Sequence, residues 1–369
     1  MVPEPTDRPL DAPTDRPPTD RPRTDRPGAG RRPVIAVLGA GSIGCHLGGL
    51  LSAVADVTLV GRPAAMEILR AHGLTLTGGG RPTRRIPADR LRLATSPEAL
   101  RDADLVLVTV KSGGTTGAGQ DLAGRLSPGA AVISLQNGLH NPAQLRAAVG
   151  DAHPVVAGMV PYNVLQTAPG VFHQGSGGAL MIDDQPAGIA LAEAAEQAGL
   201  AIERRADMRE VQHGKLLMNL NNAINALSGL PLREELGSRA YRRCLALCQR
   251  EALAAMRADG VRPARLGALP TALMPRLLAL PDGVFRRLAA AALQVDAEAR
   301  SSTWEDLQRG RRTEIDSLQG EVVAMAARHG LAAPANARLI ELVRAAEESG
   351  PAARTWAGPE LLAELTAAR

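Results

Sequence analysis

The sequence predicts an α/β fold: a doubly wound parallel sheet in the N-terminal part, followed by an all-helical C-terminal domain. Three observations predict it. Short, almost wholly apolar runs alternate with helix-like stretches between Pro33 and about residue 160. The first run ends directly in a glycine cluster, Gly39-Ala40-Gly41-Ser42-Ile43-Gly44. After about residue 206 the strand signals stop and helical periodicity takes over. Strands that are apolar on both faces belong in a sheet covered by helices on both sides, which is how parallel sheets are built.

Residues 1–32 precede this pattern. Thr-Asp-Arg-Pro recurs there four times, starting at Thr6, Thr14, Thr19 and Thr24, among eight prolines and almost no large apolar residues. Such a segment buries too little apolar surface to offset its ordering entropy, so it is predicted to be a disordered tail without a catalytic role. Residues 33–205 form the predicted sheet domain. Its strands are Val34–Leu38, Val57–Val60, Leu105–Val110, Ala131–Leu135 and Pro154–Val160, with a helix-like Ser96–Asp102 before the third. Gly170–Ile182 reads as a short antiparallel addition and Ala187–Gly199 as a further helix. Residues 206–349 read as helices over Ala206–Ser228, Ser238–Asp259, Leu266–Leu280, Val284–Ala297, Ser302–His329 and Asn336–Ala346. Residues 350–369 are expected to be a loosely held C-terminal extension.

Composition narrows the function. The chain of 369 residues is long enough for two domains with separate cores, and its net charge of +4 is small for that length. Basic residues are scattered rather than blocked, and aromatics are only 2%, so a nucleic-acid surface is not indicated and a small anionic ligand fits better. No stretch of about 18 apolar residues predicts a membrane span. Three cysteines, Cys45, Cys244 and Cys248, are too few for a disulfide framework and suit a reducing cytoplasm. Cys244 and Cys248 lack a nearby His or Cys to complete a metal set, and no metal is expected.

The glycine cluster follows a strand and opens a helix, the context a dinucleotide fingerprint requires. Gly39 permits the tight turn, Gly41 lets the backbone approach a pyrophosphate, and Gly44 lets helix and strand pack closely. The helix-start N–H groups of Ala40, Ser42 and Ile43 belong to the same anion cradle. The second strand ends in Val60-Gly61-Arg62, with no acidic residue before Glu67. A carboxylate that would repel a ribose 2′-phosphate is absent and a guanidinium that can clamp one is present, so NADP(H) is favoured over NAD(H). Lys111 ends the third strand and Asn137 the fourth, both at the carboxyl edge where such sheets bind ligand. Lys111 suits a cofactor phosphate or ribose, or a substrate carboxylate; Asn137 suits the nicotinamide end or the substrate.

All but two of the 42 basic residues are arginine; the exceptions are Lys111 and Lys215. Lysine can give up a proton where arginine cannot. Lys215, Asn219 and Asn222 are spaced i, i+4, i+7 and share one helix face. Four asparagines, at 219, 221, 222 and 225, make this a poor intrinsic helix, which a polar row facing a ligand would explain. His213, two residues from Lys215, points elsewhere and is a weaker proton donor on position alone.

Gly39–Gly44, Thr109-Val-Lys111, Leu135-Gln-Asn-Gly138, Lys215-Leu-Leu-Met-Asn219 and Arg312-Thr-Glu-Ile-Asp316 occur in this order. The set resembles the ketopantoate reductase (2-dehydropantoate 2-reductase) family over about residues 33–345. The resemblance implies a cleft between a Rossmann-type domain and a helical domain, and NADPH-dependent reduction of 2-dehydropantoate to pantoate in pantothenate and coenzyme A biosynthesis. It implies Lys215 as general acid and Glu314 as a substrate contact. Glu314 falls near the middle of the predicted Ser302–His329 helix, where its carboxylate can accept from a substrate hydroxyl or hold the Lys215 ammonium. Ser302 matches a substrate-binding serine, while Ser302-Thr-Trp-Glu305 also reads as a capping box. Many relatives carry a second asparagine eight residues after the lysine; position 223 is alanine here, so Asn222 or Asn225 takes that substrate contact. A related reductase of another 2-oxo acid, or a catalytically inactive NADP-binding sensor, are the competing readings. The oligomeric state is left open, a homodimer included.

Overall fold

The first strand, β1 (Val34–Leu38), is buried along nearly its whole length, as its unbroken Val-Ile-Ala-Val-Leu run requires. It leads through the glycine loop into α1 (Ser42–Leu51), β2 (Asp56–Val60) and α2 (Pro63–His72). There follow β3 (Leu74–Gly78), β4 (Arg84–Ile86), β5 (Arg92–Ala94), β6 (Leu105–Val108), α3 (Thr115–Leu122), β7 (Ala131–Ser134), α4 (Asn141–Val149) and β8 (Val155–Met159). Then come β9 (Val164–Ala168), β10 (Val171–Gln174), β11 (Leu180–Asp183), α5 (Ile189–Gln197) and β12 (Ile202–Arg205). This is a computed structural model; it describes residues 31–267, 269–288 and 299–368. The Thr-Asp-Arg-Pro tail lies outside the described residues.

Eight strands form one sheet in the order β12-β11-β8-β7-β6-β1-β2-β5. The run from β8 to β5 is parallel, and β11 joins antiparallel to β8. Strand order reverses at β1, which pairs with β2 on one side and β6 on the other, so the carboxyl ends of β1 and β6 flank a switch-point crevice. A second sheet, β4-β3-β10-β9, packs beside α1 and was not foreseen. Its strands, like β5 and β12, are short and polar, for example Arg84-Arg-Ile86 and Ile202-Glu-Arg-Arg205, and carry no apolar run to announce them.

The helical part comprises α6 (Met208–Asn219), α7 (Asn221–Ser228), α8 (Leu232–Gly237), α9 (Arg239–Ala258), α10 (Met274–Leu278), α11 (Asp282–Leu288), α12 (Ser302–Gln308), α13 (Ile315–Arg328), α14 (Pro334–Ser349) and α15 (Gly358–Ala367). The expected Leu266–Leu280 helix shrinks to a 3₁₀ turn and α10, because Pro270 and Pro275 interrupt it. Of the expected Val284–Ala297 helix, residues 289–298 lie outside the described residues. The Ser302–His329 helix is two helices: Gly310 turns left-handed at φ +60° and ends α12.

From Pro33 onward the chain packs as one unit with two main cores. One lies under the sheets, the other among α6–α15, and Met159, Met208 and Val211 join α6 to the sheet edge. The C-terminal extension is not loosely held. Leu361 and Leu365 of α15 are fully buried in the helical core, and the Trp356 carbonyl accepts from the Tyr241 hydroxyl at 2.8 Å. No helix among the described residues is long and apolar enough to cross a membrane.

Candidate active site

The glycine loop has the stereochemistry that its sequence demands. Gly39 sits at φ +112°, and a Cβ there would come within 2.6 Å of the Val110 nitrogen. A Cβ on Gly44 would meet the Gly39 carbonyl at 2.1 Å, so the first turn of α1 lies directly on the loop. Gly41 is the opposite case: a Cβ there would meet nothing within 4 Å, leaving open space over the start of α1. Gly41 is the N-cap, gives no side-chain cap, and no acidic residue occupies the first turn. Uncapped N–H groups and a positive helix end therefore face that space, and the residues present fit a pyrophosphate.

Arg62 is brought beside this cradle. The Gly39 and Ala40 N–H groups both donate to the Val60 carbonyl, at 2.9 and 3.1 Å, and a Cβ on Gly61 would lie 2.8 Å from that of Ala40. Arg62 follows as the N-cap residue of α2, exposed and without an ion pair among the described residues.

Across the crevice, α6 carries Lys215 and Asn219 one turn apart. The Lys215 ammonium has no hydrogen bond or ion pair within the described residues. The residue is partly exposed but densely surrounded by protein, and this burial pushes its pKa down to about 8. Asn219 donates to Asn137 Oδ1 at 3.2 Å, which ties α6 to the loop after β7. Asn137 in turn donates to Glu314 Oε2 at 3.0 Å, and the other oxygen, Oε1, accepts from the Ser112 N–H at 2.9 Å and its hydroxyl at 3.0 Å. Four site positions from four segments thus meet in one polar array.

Two helical domain models match the chain: "Ketopantoate reductase PanE/ApbA" covers residues 35–186 and "Ketopantoate reductase PanE/ApbA C terminal" covers 207–347. The chain belongs to the ketopantoate reductase family. It is 32% identical to the 2-dehydropantoate 2-reductase of Halobacterium salinarum over 86% of this chain and 99% of that one. The 2-dehydropantoate 2-reductase of Caulobacter vibrioides is 30% identical, over 85% and 98%. Among solved structures, a PanE/ApbA family ketopantoate reductase from Ralstonia eutropha superposes with a TM-score of 0.73 at 31% identity, covering 86% of this chain and 99% of that one. A D-mandelate dehydrogenase solved with NADH shares the fold at a TM-score of 0.71 and 20% identity, covering 86% and 99%.

Within this ketopantoate reductase fold, several expected positions land differently. Glu314 is not mid-helix; it is the N-cap residue of α13, in the loop that follows Gly310, and it makes no ion pair with Lys215. The helix cap before α12 belongs to Ser301, whose hydroxyl accepts from the Trp304 N–H, so the capping box is displaced by one residue and the Ser302 hydroxyl is released from that duty. Asn222 reaches Ser302 Oγ at 3.5 Å. Asn225 does not face the cleft. It is fully buried, donating to the Leu230 carbonyl and Glu235 Oε2 and accepting from the Ser301 N–H, so its polar atoms are spent inside the helical core. Lys111 is ion-paired to Asp306 and donates to the Arg312 carbonyl at 3.3 Å, so it spans from β6 to the helical side. Burial raises the Asp306 carboxyl above its ordinary range, and Lys111 partly offsets that. His213 is buried with Nδ1 against the Arg209 carbonyl at 2.6 Å, and burial lowers its pKa.

Ser112 and Asp306 are site residues that sequence reasoning passed over. Ser112 adjoins Lys111 in its motif, yet no spacing rule connects it with Glu314, 202 positions away. Among the described residues no group of three or more His, Cys, Asp or Glu side chains is placed to hold a metal.

Proposed function

We propose that the chain reduces 2-dehydropantoate to pantoate with NADPH, with Lys215 as the general acid. The observation that carries this reading is the unpartnered Lys215 ammonium, one helical turn from the Asn219 that touches the loop after β7. The reading takes the nicotinamide dinucleotide along Gly39–Gly44, with Arg62 on the 2′-phosphate and Lys111 and Asn137 toward the ribose and nicotinamide; its chemistry is to supply hydride to C2 of the substrate. Charge then develops on the C2 oxygen. Lys215 stabilises it and transfers the Nζ proton to it, leaving the neutral amine to be reprotonated from solvent. A pKa of about 8 keeps the amine charged at neutral pH while leaving the proton easy to release. Asn219, Asn222 and Ser302 offer hydrogen bonds to the carboxylate and hydroxyl of the substrate, and Glu314, fixed by Ser112 and Asn137, accepts from the substrate hydroxyl. A reducing cytoplasm suits the three buried free cysteines.

A second reading, reduction of a different 2-oxo acid, is favoured by position 223. Ala223 is fully buried and presents no amide where many relatives have asparagine, so the far end of the pocket differs from theirs.

NADPH oxidation is to be followed with 2-dehydropantoate, with NADH and other 2-oxo acids in parallel, for the native chain, Lys215→Ala and Lys215→Arg. Turnover lost in both variants supports the reaction and the proton donor. Turnover on another 2-oxo acid alone keeps the mechanism and changes the substrate. NADPH binding with no turnover on any of them overturns the reading in favour of a sensor.

A further inference from the structure

Behind Glu314 lies a chain of buried polar side chains that the reaction itself does not require. Ser134, Gln136, Thr115 and Asn141 are each at most 7% exposed. Their hydrogen bonds run in one direction. Ser134 Oγ donates to Gln136 Oε1 at 3.1 Å, which turns the Gln136 amide nitrogen toward Thr115 Oγ1, 2.7 Å away. Thr115 accepts there, so its single hydroxyl proton is left to donate, and Asn141 Oδ1 lies at 2.7 Å. Asn141 therefore presents its nitrogen to the Asn137 carbonyl at 2.5 Å and to Ser112 Oγ at 3.3 Å.

Ser112 is where the direction matters. Its hydroxyl has one proton and two acceptors in reach, the Asn137 carbonyl at 2.6 Å and Glu314 Oε1 at 3.0 Å. The Asn141 amide supplies the carbonyl, which releases the Ser112 proton to the carboxylate. The packing is close: Gly138, at φ +91°, would place a Cβ 3.4 Å from Asn141 Nδ2.

We infer that Asn141 and Thr115 are positioning residues, which set the Glu314 carboxylate through Ser112 and the Asn137 loop. This rests on the reading under Proposed function. Without the Thr115 hydroxyl the Asn141 amide loses its orientation, the Ser112 proton falls back to Asn137, and Glu314 keeps one donor fewer.

Thr115→Val, Thr115→Ser, Asn141→Leu, Glu314→Ala and the Asn141→Leu/Glu314→Ala double variant are to be compared. Thr115→Val and Asn141→Leu are expected to lower kcat about 10-fold or more, within the ~10²-fold that a displaced constellation costs. KM for NADPH stays within about 2-fold, and Thr115→Ser, which keeps the hydroxyl, restores kcat. In the Glu314→Ala background Asn141→Leu costs less than about 2-fold further, the non-additivity expected of residues in one network. An equal loss in both backgrounds, or a lowered thermal midpoint with kcat intact, overturns the inference. If the native chain turns over no 2-oxo acid, the functional reading fails by itself. The same cycle is then read in urea midpoints, where additive losses overturn the inference and coupled losses sustain it.

Discussion

Asn137 Nδ2 donates to Glu314 Oε2 at 3.0 Å across 177 positions of sequence, and with the two Ser112 donors it gives this carboxylate three hydrogen bonds from the sheet side of the crevice. Hydrogen bonds to a charged group contribute about 1.5–3 kcal/mol. Glu314→Ala leaves the Ser112 N–H and the Asn137 amide without that acceptor. The variant is expected to unfold at lower urea and to lose kcat; native-like values of both would show that the carboxylate is dispensable.

Lys215 carries a pH signature. Reduction needs the ammonium, so kcat is expected to fall as pH rises past about 8, and Lys215→Ala to cost the ~10²–10⁴-fold that acid–base catalysis supplies. The stability effect has the opposite sense. The unfolded chain holds this proton to about 10.5 and the folded chain only to about 8, so folding releases it between those values and stability rises with pH there. Below pH 8 the buried charge is a cost, and Lys215→Met is expected to be inactive yet more stable at pH 7, as a thermal scan will read.

Arg62 is expected to govern the choice of cofactor. It is exposed, next to the glycine loop, and carries no carboxylate partner that would have to be displaced. Arg62→Asp should raise KM for NADPH by roughly 10–100-fold, the equivalent of losing a charge-assisted pair, while changing KM for NADH little or lowering it. Parallel loss with both cofactors would point to a folding defect instead.

Glu235, away from the crevice, predicts a second pH effect. It is fully buried; Asn221 and Asn225 donate to Oε2 at 2.9 and 3.3 Å, and burial pushes its carboxyl up to about 8. The unfolded chain loses this proton near 4.5, so the folded chain holds it longer and stability declines as pH rises from about 4.5 to 8. Glu235→Gln keeps an acceptor for both asparagines without the charge. Its midpoint should match the native one at pH 4.5 and exceed it at pH 8, by a few kcal/mol at about 1.4 kcal/mol per pKa unit; a constant difference across pH would sink the argument.

The end of the chain is also testable. Leu361 on α15 is fully buried in the helical core, and Leu361→Ala should cost ~2–5 kcal/mol in urea unfolding with KM for NADPH unchanged. A negligible cost would return residues 350–369 to the status of an appendage.

Much of this was readable beforehand, where the rule is local. The apolar runs of β1, β2, β6, β7 and β8 announce a buried parallel sheet, because both faces of each strand are covered. Gly39 and Gly44 announce their turn because no other residue fits it. The rest failed for specific reasons. Strands such as Arg84–Ile86 have no apolar pattern to read. The periodicity over 302–329 is continuous enough to hide the break at Gly310, and so hides that Glu314 stands at a helix start.

The sequence by itself determined the order of elements, the dinucleotide loop, and a lysine placed one turn from an asparagine, since backbone sterics and helical period act within a few residues. Which polar groups meet was decided only by the tertiary structure. Asn222 and Asn225 are three apart on one helix and equally plausible on paper, yet one reaches Ser302 and the other is enclosed with Glu235. Glu314, Ser112 and Asn137 converge only because two separately packed cores are docked along the crevice. Hydrogen bonds reach about 3 Å, and no local rule brings groups some two hundred residues apart to that distance.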